Sequence, residues 1–328
     1  MKDIELKKIE EDSRVEPVAI NDTQSNRWAV ILAGGDGTRL RSLTRVIAGD
    51  ERPKQFCRIF GAETLLDQTV RRVSLSVLTA QTFFALTESH KEFYKSLLAH
   101  VPCERKIVQP SNQGTAPAIL YSLMRLAEIN PHAAVAFFPS DHYFNDDATF
   151  MSHVEKAFEA VQARQDLIVL LGITPTSPEV EYGWIEPSSS ISLKNASALS
   201  RVRRFWEKPS KAHARLLFEQ GCLWNSFVMV GRVQEFLHLF RRTLPELYQA
   251  FARVRPTFGT GVERRAVRAL YNQIPQANFS HQVLSACPNN LAVLPVGGVE
   301  WSDWGAPERV FSTLARIGAE VEWLQQAV

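Results

Sequence analysis

The sequence predicts an α/β fold, a mostly parallel sheet with helices on both faces. Short apolar runs alternate along the chain with stretches whose apolar residues recur at helical spacing. Several runs are apolar at consecutive positions, as strands covered on both faces must be. The chain has 328 residues, 45% of them hydrophobic, enough to bury a full core.

Residues 1–26 are polar, mixed in charge and free of glycine, and predict a polar N-terminal tail. Residues 27–328 then form the folded unit, with a partly helical C-terminal region. Trp28 to Leu32 is a buried strand feeding Gly34-Gly35. Leu65, Leu66, Thr69, Val70 and Val73 predict a helix, and Phe83 to Leu86 and Ile107-Val108 predict strands. Ala116, Ile119, Leu120, Leu123 and Ala127 form a helix face, with Thr115 as its N-cap and Pro117 in the first turn. Ala133 to Phe138 is a strand ending at Pro139-Ser140-Asp141. Phe150 to Val161 reads as a helix and Leu167 to Ile173 as a run apolar on both faces. Tyr182 to Ile185 and Val202 to Phe205 predict strands around a polar loop, 187–200. Helical material is expected over 209–272, and a late strand, Leu291 to Val296, leads to Glu300-Trp301-Ser302-Asp303. In parallel sheets ligands bind beyond the carboxyl ends of the strands, where Gly35 and Asp141 both fall.

Composition narrows the function. A net charge of +2 gives no general attraction for nucleic acid. The cluster Arg201, Arg203, Arg204 and Lys208 is either a site for a phosphorylated small molecule or a solvated basic face. Four scattered cysteines without a CxxC pair predict reduced thiols in a cytoplasmic protein. The N-terminus has no apolar leader core, and no apolar run reaches the roughly 18 residues of a membrane span. A soluble protein with neither a nucleic acid nor a membrane partner is expected, and a homo-oligomer stays open.

The most informative stretch is Leu32-Ala33-Gly34-Gly35-Asp36-Gly37-Thr38-Arg39-Leu40. Glycines let main-chain N–H groups approach an anion, and a helix beginning after the loop adds its positive end. Arg39 can chelate phosphate oxygens and Lys54 can add a compact charge. The loop lacks GxxxxGK[ST], and Leu40 breaks GxGxxG at the third glycine. A phosphate loop or a tight structural turn remains. Asp36 reads as solvent-facing or as a turn former.

Leu32 to Leu40 followed by Pro53-Lys54-Gln55-Phe56 resembles the signature of sugar-phosphate nucleotidyltransferases, and is most similar to the mannose-1-phosphate guanylyltransferase (GDP-mannose pyrophosphorylase) branch. The resemblance continues in order through Gly114-Thr115-Ala116-Pro117-Ala118, Phe138 to His142, Tyr182-Gly183, Glu207-Lys208-Pro209, Trp224-Asn225-Ser226 and Trp301-Ser302-Asp303, covering about residues 28–305. It implies a Rossmann-like sheet of the nucleotide-diphospho-sugar transferase type. The implied substrates are a nucleoside triphosphate (GTP) and a hexose 1-phosphate (mannose 1-phosphate), with pyrophosphate released. Another base or sugar, or a catalytically weak regulatory protein that binds nucleotide sugars, are the alternatives.

Such a reaction joins two anions, so it needs charge neutralisation rather than a general base, and Mg²⁺ held by hard carboxylate oxygens supplies it. Asp141 and Asp303 match the family's metal-binding aspartates; alone, each would read as a turn cap or a loop residue. His142 is expected to orient the loop rather than bind metal. The resemblance places the nucleotide on Leu32, Ala33, Gly34, Gly35, Gly37, Thr38, Gln109, Gly114 and Thr115. Arg39, Lys54, Asp141 and Lys208 are the expected catalytic residues, and Gly183, Glu207 and Asn225 the sugar contacts. Trp184 and Trp224 either stack on the hexose or belong to the core.

The sequence departs from the family at Arg41-Ser42, where a proline is usual in the second position, and over a longer segment, 47–52. It also has Asn112-Gln113-Gly114-Thr115 where many guanylyltransferases have Arg-Asn-Thr, at the base-reading positions. No fused isomerase or β-helix is legible, so a stand-alone transferase is expected.

Overall fold

The computed structural model describes residues 26–192 and 199–324. All but the last residue of the expected tail therefore lies outside the described residues. Strand β1 (Arg27–Leu32) alternates between two cores, Trp28 and Val30 facing one and Ala29 and Ile31 the other. The glycine loop follows, then a 3-10 turn (Thr38–Leu40) and helix α1 (Arg41–Ala48). A turn over Lys54–Phe56 leads to α2 (Leu65–Val73), opened by a capping box between Thr64 and Asp67. Next come β2 (Thr82–Thr87), α3 (Lys91–Leu97), β3 (Lys106–Gln109), α4 (Thr115–Ile129) and β4 (Ala134–Pro139). Strands β3, β2, β1 and β4 pair in that order, all parallel.

The second half comprises β5 (Tyr143–Phe144), α5 (Asp147–Ala163), β6 (Ile168–Ile173), β7 (Gly183–Ser190), β8 (Ser200–Glu207) and α6 (Lys211–Glu219). It continues with β9 (Leu223–Arg232), α7 (Val233–Thr243), α8 (Pro245–Val254), α9 (Glu263–Tyr271), β10 (Leu291–Val296), β11 (Trp301–Ser302) and α10 (Pro307–Arg316). The main sheet has the order β3-β2-β1-β4-β9-β6-β10-β8-β7.

Several expectations need correcting. β9 interrupts the stretch expected to be helical and enters the sheet antiparallel to both β4 and β6. The sheet is therefore mixed, with its parallel half confined to the strands around the glycine loop and the β6–β10 pair. Another correction is the start of α4. Gly114, at φ +89°, precedes the helix, and the Thr115 hydroxyl accepts from the Phe279 amide (2.9 Å) instead of capping. The polar loop is also shorter than expected, because β7 runs on to Ser190.

Helices cover both faces. α4, α7, α8 and α9 pack on one, and α2, α5 and α6 on the other. A third cluster joins α1 to α10 through Leu43, Tyr143, Trp304, Val310 and Leu314. Trp304 is fully buried, its ring stacked on Tyr143 at 5.1 Å. Burying a side chain of that size contributes about 3 kcal/mol and fixes the segment just after Asp303. No helix among the described residues is long and apolar enough to cross a membrane.

Candidate functional site

The carboxyl ends of β1 and β4 lie side by side, with Leu32 in register with Pro139. Ser140 donates to the Leu32 carbonyl from its hydroxyl (2.8 Å) and its amide (3.2 Å). Beyond this point the glycine loop is pinned from two sides. Thr87 Oγ1 at the end of β2 donates to the Gly34 carbonyl (2.9 Å), and Gln55 Nε2 donates to the carbonyls of Ala33 (3.2 Å) and Gly35 (2.8 Å). A Cβ at Gly34 would lie 2.9 Å from both Thr87 Oγ1 and Gln109 Nε2, so a larger residue there would displace these side chains. Gly37 takes φ +57° against Pro53 and Lys54. The loop thus borders an open cavity of roughly 390 Å³ without filling it.

Asp141 and Asp303 both line that cavity. The second sheet explains why. β5 and β11 pair antiparallel, Tyr143 with Ser302 and Phe144 with Trp301, which sets the residues just before β5 beside the residue just after β11. Lys54 is buried between them. Its ammonium donates to the main-chain carbonyls of Asp303 and Trp304 (3.0 Å to the latter) and lies 3.4 Å from Asp141 Oδ2. An ammonium has three protons, and these partners account for them. Burial works to raise the Asp303 carboxyl, but the charges of Lys54 and Arg309 outweigh it and hold the group below the usual carboxylate range. Its Oδ1 accepts from Arg309 (2.6 Å), the Gly305 amide (2.8 Å) and the Tyr182 hydroxyl (3.2 Å).

His142 is neutral: burial pushes its imidazole down to about 4, despite the nearby Asp141 charge. Its Nδ1 accepts from Trp301 Nε1 (3.2 Å), which ties β5 to β11 at the acid pair. That is the loop-orienting place expected of it.

At the far end of the cavity Gln109 is buried, its Oε1 accepting from the Tyr271 hydroxyl (3.1 Å). Gly114 and Thr115 line the same end. The 112–116 loop is stitched to a distant segment: Ala277 N donates to the Gln113 carbonyl (2.9 Å) and Ala116 N to the Ala277 carbonyl (3.0 Å). A Cβ at Gly114 would strike that Ala277 carbonyl. Asp36 is neither a bare surface residue nor only a turn former; it bonds to Asn112 and His90.

Gly183, Glu207 and Asn225 line the opposite end. Burial raises the Glu207 carboxyl, and the Lys208 and His281 charges only partly offset this. Arg39 and Lys208 do not line the cavity; they share one partner that does, Glu181, at 3.1 and 3.7 Å. Lys208 takes φ +48°, a sparsely populated conformation for a side-chain-bearing residue. Trp184 and Trp224 belong to the core; Tyr182, Trp301 and Phe227 supply the aromatic lining instead. Arg203 and Arg204 face a separate depression with Glu186 and Trp206, so they form no joint site with Lys208. Leu32, Gly34 and Gly35 line the cavity, whereas Ala33 is buried behind it and Gly37 and Thr38 lie further along the loop.

Sequence reasoning missed Arg309, Glu181, Asn278 and Ser280, and met Asn112 only as a departure from the family pattern. Glu181 stands directly before Tyr182-Gly183 and could have been found by its acidity there. Arg309 gives no local signal, being one cation on an amphipathic helix.

The donor set suits a hard cation. Among the described residues no three His, Cys, Asp or Glu side chains are grouped for a metal. The two aspartates offer oxygen ligands only, as Mg²⁺ sites completed by phosphate and water do.

The sequence profile of the nucleotidyl transferase family matches residues 28–317. Mannose-1-phosphate guanylyltransferase of Escherichia coli is 27% identical over 295 residues, covering 88% of this chain and 61% of that protein. The alginate biosynthesis protein AlgA of Pseudomonas fluorescens is 30% identical over 222 residues, covering 67% of this chain and 44% of that protein. The chain thus spans about half the length of the curated relatives it matches. A crystal structure described as mannose-1-phosphate geranyltransferase from Thermus thermophilus aligns with a TM-score of 0.74 and 29% identity, covering 88% of this chain and 79% of that one. The fold is that of the nucleotide-diphospho-sugar transferases.

Proposed function

The chain belongs to the nucleotidyl transferase family, and on that premise we propose that it transfers a nucleoside monophosphate from a nucleoside triphosphate to a hexose 1-phosphate, releasing pyrophosphate. GTP and mannose 1-phosphate are the proposed pair, after the relatives' names. The observation that carries this reading is the β5–β11 pairing, which brings Asp141 and Asp303 to the glycine-loop cavity with Lys54 between them.

In the proposed reaction an oxygen of the sugar phosphate attacks the α-phosphorus, and the bond from that phosphorus to the pyrophosphate oxygen breaks. The nucleophile is already ionised, so no residue needs to take a proton. Asp141 and Asp303 would hold Mg²⁺, which supplies charge neutralisation to both phosphates. Lys54 ties the Asp303 backbone to the Asp141 carboxylate. The main-chain amides of residues 34–38 and the Arg39 guanidinium receive the departing pyrophosphate. Lys208 takes the incoming phosphate, and Glu207 and Asn225 accept or donate to hexose hydroxyls. Gly114, Thr115 and Gln109 form the base end.

The test is a matrix of triphosphates against sugar 1-phosphates with Mg²⁺, reading pyrophosphate. Release that requires both substrates supports the reading, and the best pair gives the specificity. Nucleotide-sugar binding without release from any pair would replace it with the regulatory alternative.

A further inference from the structure

The glycine loop carries an acidic residue, Asp36, at a place meant for anions, and the proposed reaction gives it no part. Its two carboxylate oxygens have different partners. Oδ2 accepts from Asn112 Nδ2 (2.8 Å), and Oδ1 lies 3.2 Å from His90 Nε2. Asn112 in turn accepts from the Gly114 amide through its Oδ1 (2.9 Å). Both ends of the Asn112 amide are therefore committed, and turning it over would put like groups together at each end. His90 is buried, edge-on to Phe56 at 6.0 Å, and gives Asp36 a fixed anchor at the start of α3.

These bonds connect segments that approach opposite parts of a nucleotide. Asp36 belongs to the loop proposed for the phosphates, and Asn112 and Gly114 to the loop proposed for the base. No other side-chain hydrogen bond among the described residues joins 33–37 to 112–114. We propose that Asp36 is a positioning residue that clamps the phosphate loop to the base loop through Asn112, so that a nucleoside triphosphate is gripped at both ends in one register. This rests on the proposed function, since it presumes a nucleoside triphosphate in the cavity. The same bonds turn the carboxylate away from the phosphates, which accounts for a negative charge being tolerated in the loop.

The clamp separates two ligands. A nucleoside triphosphate spans both loops, whereas inorganic pyrophosphate reaches only one. The experiment measures binding of GTP and of pyrophosphate, each with Mg²⁺, to the full chain and to Asp36→Ala, Asn112→Ala and the double variant, with melting curves for each. Asp36→Ala and Asn112→Ala are each expected to weaken GTP about fivefold. The double variant should be no weaker than the worse single one, and pyrophosphate binding should stay at the wild-type value. Asp36→Asn can still accept from Asn112 and should recover most GTP affinity. GTP affinity unchanged in both single variants, equal losses for GTP and pyrophosphate, or additive losses in the double variant would overturn the clamp alone. A wild-type chain that binds pyrophosphate but no nucleoside triphosphate from a panel of bases would overturn the proposed function and the clamp with it.

Discussion

Lys54 holds the backbone of Asp303 and the side chain of Asp141 at once, its ammonium 3.4 Å from the Asp141 carboxylate. Replacing it with the uncharged, similarly long methionine leaves two carbonyls and a carboxylate without their donor. Lys54→Met is expected to lose about 3 kcal/mol of stability and at least roughly 100-fold in pyrophosphate release. Denaturant titration and initial rates test this together. A variant as stable and as fast as the parent would remove Lys54 from the organising role.

Asp141 is nearly a third exposed, so its amide replacement changes charge with little change in packing. Asp141→Asn should melt within about 1 kcal/mol of the parent while turnover falls at least roughly 100-fold. Chelation of divalent cations should stop pyrophosphate release by the parent chain in the same way, and adding Mg²⁺ should restore it. Turnover that persists after chelation would show that the carboxylates serve something other than a cation.

Arg309 donates to Asp303 Oδ1 at 2.6 Å, reaches Glu179 at 3.2 Å and lies over the Tyr182 ring at 4.5 Å. Arg309→Ala is expected to lower the rate roughly tenfold or more, with Arg309→Lys recovering part of it as a single point charge. Equal rates for the alanine and lysine variants would mean that the cation itself is dispensable.

Glu181 is the shared partner of Arg39 and Lys208, all three about half exposed. Exposed pairs of this kind are weak, so an incoming phosphate can displace the carboxylate. Glu181→Gln frees both cations and should tighten pyrophosphate binding roughly twofold to fivefold, more at low salt. Weaker binding in the variant would instead make Glu181 a contributor to the ligand site.

His90 titrates below its ordinary value because burial opposes its charged form more than Asp36 favours it. The unfolded chain then takes up this proton at a higher pH than the folded one. Stability should fall as pH drops below about 6.5, the ordinary histidine value, until the folded imidazole is also protonated. In His90→Gln that part of the slope should vanish, as read from denaturant midpoints across pH 4–8. An identical slope in the variant would assign the pH dependence to other groups.

The parallel half of the sheet was legible because each strand there is a short apolar run stopped by glycine, proline or a turn. β9 was not. Leu223 to Arg232 is buried at nearly every position, and with Asn225 and Ser226 breaking its apolar residues it carries no period to separate strand from helix. The glycine loop announced itself locally, as did Lys54, yet the burial of Lys54 under the acid pair did not. That depends on the two-residue β5–β11 pairing, too short to leave a pattern in sequence. For Asp36 the signal was a charge in an unexpected place, and its meaning required the position of Asn112.

The stitching of residues 112–116 to Ala277 and Phe279 has a bearing on fragments of this protein. A piece ending after β4 would keep the whole glycine signature and four parallel strands, and would look like a self-sufficient nucleotide module. It would lack the backing that shapes its proposed base end, along with Asp303. Shortened versions made to isolate nucleotide affinity must therefore retain the late segment, which holds the proposed base loop despite its distance along the chain.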